Sequence, residues 1–178
     1  MDPQAHLLLI TGERGAGKTT LCLRLSAALR QAGCSVAGLV TRPAGPQALE
    51  ALDLAREERY LLTVPFDPQR TDRPPLHFQF DNEAMAASAR AFLRAFPASV
   101  FFLDEIGPLE LIYQQGWSNL LPALAGLTYR WGVLVIRPEL LAAALPRLPG
   151  EVFTLVRVTP ERRDLLYTHL LARLKEGL

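Results

Sequence analysis

Lysine is almost missing from this chain. Of its 178 residues only Lys18 and Lys175 are lysines, and arginine carries the rest of the positive charge. Cysteine is equally scarce. Cys22 and Cys34 stand at no metal-ligand spacing, so both are expected to be reduced thiols of the core. The formal net charge is only +1 and no segment concentrates Lys or Arg, which excludes an obvious nucleic-acid surface or basic membrane stripe. No apolar run approaches the length of a membrane span, and the opening residues MDPQAH lack the positive stretch of a signal peptide. The expected location is therefore cytoplasmic, with no nucleic acid and no membrane among the partners. Internal repeats and low-complexity tails are absent too.

What is present is core material. With 49% hydrophobic residues, a chain of this length is expected to form a single domain over residues 1–178, built as a sheet flanked by helices. Its organising stretch is Leu7 to Thr20, LLLITGERGAGKTT, where a short apolar strand breaks into a glycine-rich loop and restarts as a helix. Gly12, Gly17, Lys18 and Thr19 meet the P-loop pattern G-x-x-x-x-G-K-[ST]. The spacing follows from charge. A triphosphate needs many donors at close range, and backbone N–H groups supply them only where small residues let the chain approach. The loop residues Gly12, Glu13, Arg14, Gly15, Ala16, Gly17, Lys18, Thr19 and Thr20 form the expected nucleotide-binding set. The dipole of the helix that follows favours the anion further. Lys18 is expected on the β- and γ-phosphates, the Thr19 hydroxyl on Mg²⁺ and Thr20 near the α-phosphate.

Along the chain, Leu21, Leu25, Ala28 and Leu29 mark a helix from Lys18 to Gln31, and Ser35 to Thr41 reads as a buried strand. Residues 48–55 fit either a short helix or a strand. Residues 59–64 look strand-like, 65–75 form a Pro-rich exposed loop, and 76–80 alternate as a half-buried strand should. Residues 48–80 are accordingly expected to hold an antiparallel β-hairpin insertion. Further on, a helix is expected over 84–96 after an Asp81 or Asn82 cap, and strands over 99–103, 132–136 and 151–158. Helices are expected over 117–125, 139–145 and 161–175. The fold class is α/β, a three-layer P-loop NTPase fold with a mostly parallel central sheet and helices on both faces.

Four apolar residues followed by Asp104 and Glu105 form the expected Walker B partner at the C-terminal end of a core strand, where open α/β sheets bind ligands. Asp104 is the second expected metal residue, holding Mg²⁺ through water. Glu105 and Lys18 are the expected catalytic residues, Glu105 orienting and deprotonating an attacking water.

GERGAGKTT, SVFFLDEIGPLEL and VTPERRDLL together resemble the small P-loop nucleoside-triphosphatases of the cancer-related nucleoside-triphosphatase type, in order and spacing across nearly the whole chain. The segment from Asp104 to Leu111 is the most specific, although the family often has methionine where Leu109 stands. The resemblance implies a Mg²⁺-dependent hydrolase of ATP, GTP and other nucleoside triphosphates, slow and tolerant of the base. It also favours strands over 48–64. Where the family carries Asn-Arg-Asp, this chain has Arg162, Arg163 and Asp164, so Arg163 carries over as a nucleotide-binding residue while Arg162 replaces a neutral amide.

Three arginines, Arg14, Arg42 and Arg137, are candidates for stabilising charge on the γ-phosphate, the last two because they follow strand ends. Glu110 is expected to play a structural part. Two other functions share the same cradle: a kinase closed by a lid of Arg56, Arg59, Arg70 and Arg73, and a nucleotide-dependent binding module read by a partner protein.

Overall fold

Continuous apolar runs form strands that can be buried on both faces, and here they assemble a parallel sheet between two helical layers. The computed structural model describes residues 5–69, 74, 76–149 and 153–176. In chain order its elements are β1 (His6–Thr11), α1 (Lys18–Gln31), β2 (Val36–Gly45), β3 (Ala48–Asp53), β4 (Arg59–Leu61), β5 (Thr63–Val64), β6 (Gln79–Phe80) and α2 (Asn82–Arg94). There follow β7 (Ala98–Ile106), α3 (Pro108–Leu111), α4 (Leu120–Ala123), β8 (Tyr129–Ile136), α5 (Leu141–Ala144), β9 (Phe153–Arg157) and α6 (Arg163–Lys175).

Seven strands lie in the order β4-β3-β2-β7-β8-β1-β9. The five from β2 to β9 in that order are parallel; β3 and β4 run antiparallel at one edge. Leu8, Ile10, Val133 and Val135 face α1 and α6 on one side. Leu7, Leu9, Phe101 and Leu103 face α2 and the segment after β7 on the other. Each β-to-α connection that matters for function therefore leaves the same end of the sheet.

Helix α1 runs as its periodicity predicts. Helix α2 starts two residues earlier than the apolar face suggests, at Asn82, because the carboxylate of Asp81, one of the two expected caps, accepts the N–H groups of Glu83 and Ala84 at 2.9 and 3.1 Å. Residues 48–53 and 59–61 are strands joined by a turn, which settles 48–53 as strand and leaves 54–55 in the turn. The alternating run 76–80 is a strand only at Gln79–Phe80, paired with Thr63–Val64 in a separate two-stranded ribbon. Its alternation had no long neighbour to pair with. The helix expected over 117–125 shrinks to α4 and a 3-10 turn at Leu124–Gly126, and the one over 139–145 is a similar mixture around α5. Pro122 and Gly126, Pro138 and Pro146 interrupt both. Residues 65–69 are exposed, as expected of that loop, while Arg70, Arg73 and the start of the strand expected at 151 lie outside the described residues. Cys22 is buried and Cys34 partly so, both free. No described helix is long and apolar enough to cross a membrane.

Two contacts fix the sheet centre. Gly132 lies directly opposite Phe101, and a Cβ at Gly132 would sit 2.4 Å from the tip of that ring. The ring is already held edge-on by Phe92 and Tyr129, with centroids 5.7 and 4.7 Å away. Glu110 then anchors the segment leaving β7. It is 4% exposed, and its two carboxylate oxygens accept the N–H groups of Gly107 at 3.0 Å and Trp117 at 3.3 Å. Burial nevertheless pushes its carboxyl up to about 7, outweighing those two donors.

Gly132→Ala is expected to lower stability by about 1 to 3 kcal/mol, read as a lower urea midpoint, since the ring has no room to retreat. For Glu110 the folded group binds its proton more tightly than the unfolded one. Its contribution to stability is therefore full below the unfolded value near 4.5 and is lost as pH rises through about 7. Measured between pH 5 and 8, the unfolding free energy of the wild type is expected to fall relative to Glu110→Gln by on the order of 1 to 3 kcal/mol.

Candidate functional site

The P-loop forms where β1 ends. Gly12 has φ +147°, and a Cβ there would lie 2.4 Å from the carbonyl oxygen of Val158, just beyond β9. Only glycine lets the two chains pass so closely. A backbone bond from Val158 N to Thr11 O at 2.8 Å holds them together. At the other end of the loop Gly17 has φ +92°, and a Cβ there would meet Arg163 Cδ at 2.7 Å. Arg163, the first residue of α6, thus lies across the loop. Its Nε is buried without a hydrogen bond and stands 3.9 Å from Asp164 Oδ1. Asp164 in turn pairs with Arg24 on α1, whose guanidinium lies 4.2 Å from the Tyr167 ring centroid.

Within the loop, Lys18 is buried, and its Nζ donates to the carbonyls of Gly12 at 2.7 Å and Glu13 at 2.9 Å. Gly15, Arg14, Glu13 and Thr20 are exposed, Ala16 is buried, and Glu13 Oε1 receives Arg157 Nη2 at 3.0 Å.

The second part of the site comes from β7. Asp104 is 1% exposed and hydrogen-bonds to Thr19, which places its carboxyl against the first turn of α1. Burial pushes it up to about 7; the Glu105 charge adds to this, while the Thr19 hydroxyl and the Lys18 ammonium pull the other way. Its Oδ2 is buried with no hydrogen-bond partner. A buried carboxylate oxygen beside a threonine hydroxyl suits a hard cation that brings its own waters. Among the described residues no three His, Cys, Asp or Glu side chains gather into a fuller ligand set. Glu105 is more exposed, and its Oε1 receives Arg137 Nε at 2.5 Å.

Of the candidate arginines, Arg42 is engaged with Glu50, its cross-strand neighbour, at 2.6 Å. Arg14 lies exposed on the loop. Arg137 alone of the three is joined to an acidic residue of the site. Arg56 and Arg59 flank the β3–β4 turn, where Glu57 pairs with Arg30 in the last turn of α1. By strand register Arg59 pairs with Leu52, Leu52 with Val40 and Val40 with Asp104, so Arg59 shares a rung with Asp104 three strands away, roughly 14 Å across the sheet. Arg157, the last residue of β9, was not among the candidates, because the strand expected over 151–158 put it inside a strand rather than after one. Nothing local marks the contact between Arg24 and Asp164. A cavity of about 370 Å³ between α2, β6 and residues 109–116 is lined by Phe78, Phe80, Met85, Leu109 and Gln115, with no P-loop residue among its walls.

Known proteins resemble this chain over most of its length. A family model described as NTPase matches residues 7–171. The nucleoside-triphosphatase THEP1 of Methanothermobacter thermautotrophicus is 30% identical over 170 residues, covering 92% of this chain and 93% of that protein. Its namesake from Pyrococcus abyssi is 31% identical over 179 residues, covering 95% and 92%. In fold, the crystal structure of THEP1 from Aquifex aeolicus superposes with a TM-score of 0.69 at 20% identity, over 95% of this chain and 99% of that one. The P-loop, the Asp104-Glu105 strand end and the extent of these matches agree, and the chain belongs to the small P-loop NTPase family.

Proposed function

We propose that the chain acts, as one P-loop domain over residues 1–178, as a Mg²⁺-dependent hydrolase that converts nucleoside triphosphates such as ATP and GTP to the diphosphate and inorganic phosphate. The observation that carries this reading is the meeting of Thr19 with the buried carboxyl of Asp104, whose Oδ2 has no hydrogen-bond partner among the described residues, close to Lys18 and Glu105. On nucleotide binding, Lys18 Nζ exchanges the carbonyls of Gly12 and Glu13 for β- and γ-phosphate oxygens. The N–H groups of Gly15 to Thr19 surround the β-phosphate, Thr20 takes the α-phosphate side, and Arg163 adds charge where it crosses Gly17. Thr19 and, through water, Asp104 are the residues to hold Mg²⁺, which when bound neutralises charge developing on the phosphates.

Glu105 orients a water in line with the γ-phosphorus and accepts its proton. The water oxygen forms a bond to Pγ while the bond from Pγ to the β–γ bridging oxygen breaks, and the electron pair leaves with the diphosphate. Every donor named here suits phosphate oxygens and none a base edge, which supports broad base tolerance. Slow turnover is implied by the family resemblance.

Phosphate release with Mg²⁺ and each common NTP tests this reading. Glu105→Gln is expected to keep nucleotide binding and lose about 100-fold or more in kcat, whereas Lys18→Ala is expected to weaken binding itself. A Glu105→Gln protein that hydrolyses at the wild-type rate would contradict the assignment of the base.

A further inference from the structure

Arg137 directly follows β8, the strand that lies between β7 and β1 in the sheet. This places it between the strand end carrying Asp104 and Glu105 and the strand end carrying the P-loop. Its contact with Glu105 is through Nε alone, at 2.5 Å to Oε1. A single Nε contact leaves the two terminal amino groups of the guanidinium without a recorded partner among the described residues, and the side chain is 46% exposed at this end of the sheet. Arg42 also makes a single Nε contact, but it is less exposed, at 28%, and its partner Glu50 is no part of the site. The geometry points to Arg137 as a two-handed residue of the hydrolytic step: its Nε fixes the carboxylate of Glu105 for the attacking water, and its terminal amino groups receive the γ-phosphate as charge develops on it.

The inference rests on the hydrolase reading above. It assigns to one arginine both the positioning of the base and the charge stabilisation, and so makes the two inseparable. A planar guanidinium can do this and an ammonium can do only part of it, because lysine offers one point of charge rather than a fork of donors.

A double-mutant cycle tests it. Phosphate release is measured for the wild type, Arg137→Ala, Arg137→Lys, Glu105→Gln and the double variant Glu105→Gln/Arg137→Ala, with the affinity of each for a non-hydrolysable NTP analogue. Arg137→Ala is expected to lower kcat by about 100-fold or more with analogue affinity changed less than about 3-fold, and Arg137→Lys to recover part of the loss. In the Glu105→Gln background the same substitution is expected to cost about 10-fold, distinctly less than in the wild type, because the positioned carboxylate is gone while the charge stabilisation on the γ-phosphate is still lost. Full loss in both backgrounds would remove the positioning role, a cost below about 3-fold in the Glu105→Gln background would remove the phosphate contact, and an unchanged kcat or a loss confined to analogue affinity would remove both; each overturns the inference while leaving the hydrolase reading intact. Absence of turnover by the wild type overturns the hydrolase reading and this inference with it.

Discussion

The closeness of two backbones, Gly12 passing within reach of the Val158 carbonyl, is the constraint on which the site depends. Phosphate can be gripped by backbone N–H groups only if the chain turns back on itself without side chains in the way. At Gly12 that turn is made against β9, and the bond from Val158 to Thr11 locks it. Because β9 is pinned there, the chain after it emerges beside the loop, and Arg163 arrives over Gly17. A larger residue at either glycine would push apart the loop and the segment that supplies this arginine.

A second constraint is electrostatic. Asp104 and Glu105 are adjacent acids at the end of a buried strand, and the protein treats them in opposite ways. Asp104 is sealed against Thr19 in an environment that disfavours its charge, while Glu105 reaches outward to Arg137. One carboxylate is thus suited to a bound cation and the other to a water on the open side, a division of labour set by burial rather than by residue type.

The P-loop and α1 were legible because everything that defines them is contiguous: an apolar strand, glycines, and a helix with one clean face. The long buried runs around Val100 and Val133 were equally readable as strands. Short elements were not. Gln79–Phe80 is a strand only because Thr63–Val64 lies beside it, and α4 is cut short by Pro122 and Gly126 although its apolar spacing continues. The contact between Arg137 and Glu105, 32 residues apart, depends on β8 lying next to β7 in the sheet, an order that no local pattern encodes. For the same reason nothing local shows that Arg59 shares a rung of the sheet with Asp104, three strands away.

The central claim is that these groups direct a water onto the γ-phosphorus. Turnover of MgATP or MgGTP in ¹⁸O-labelled water, with mass analysis of both products, tests it most directly. The account requires one solvent oxygen in each inorganic phosphate released and none in the diphosphate. Label in the diphosphate with unlabelled phosphate would mean that water attacks the β-phosphorus instead, and would contradict it.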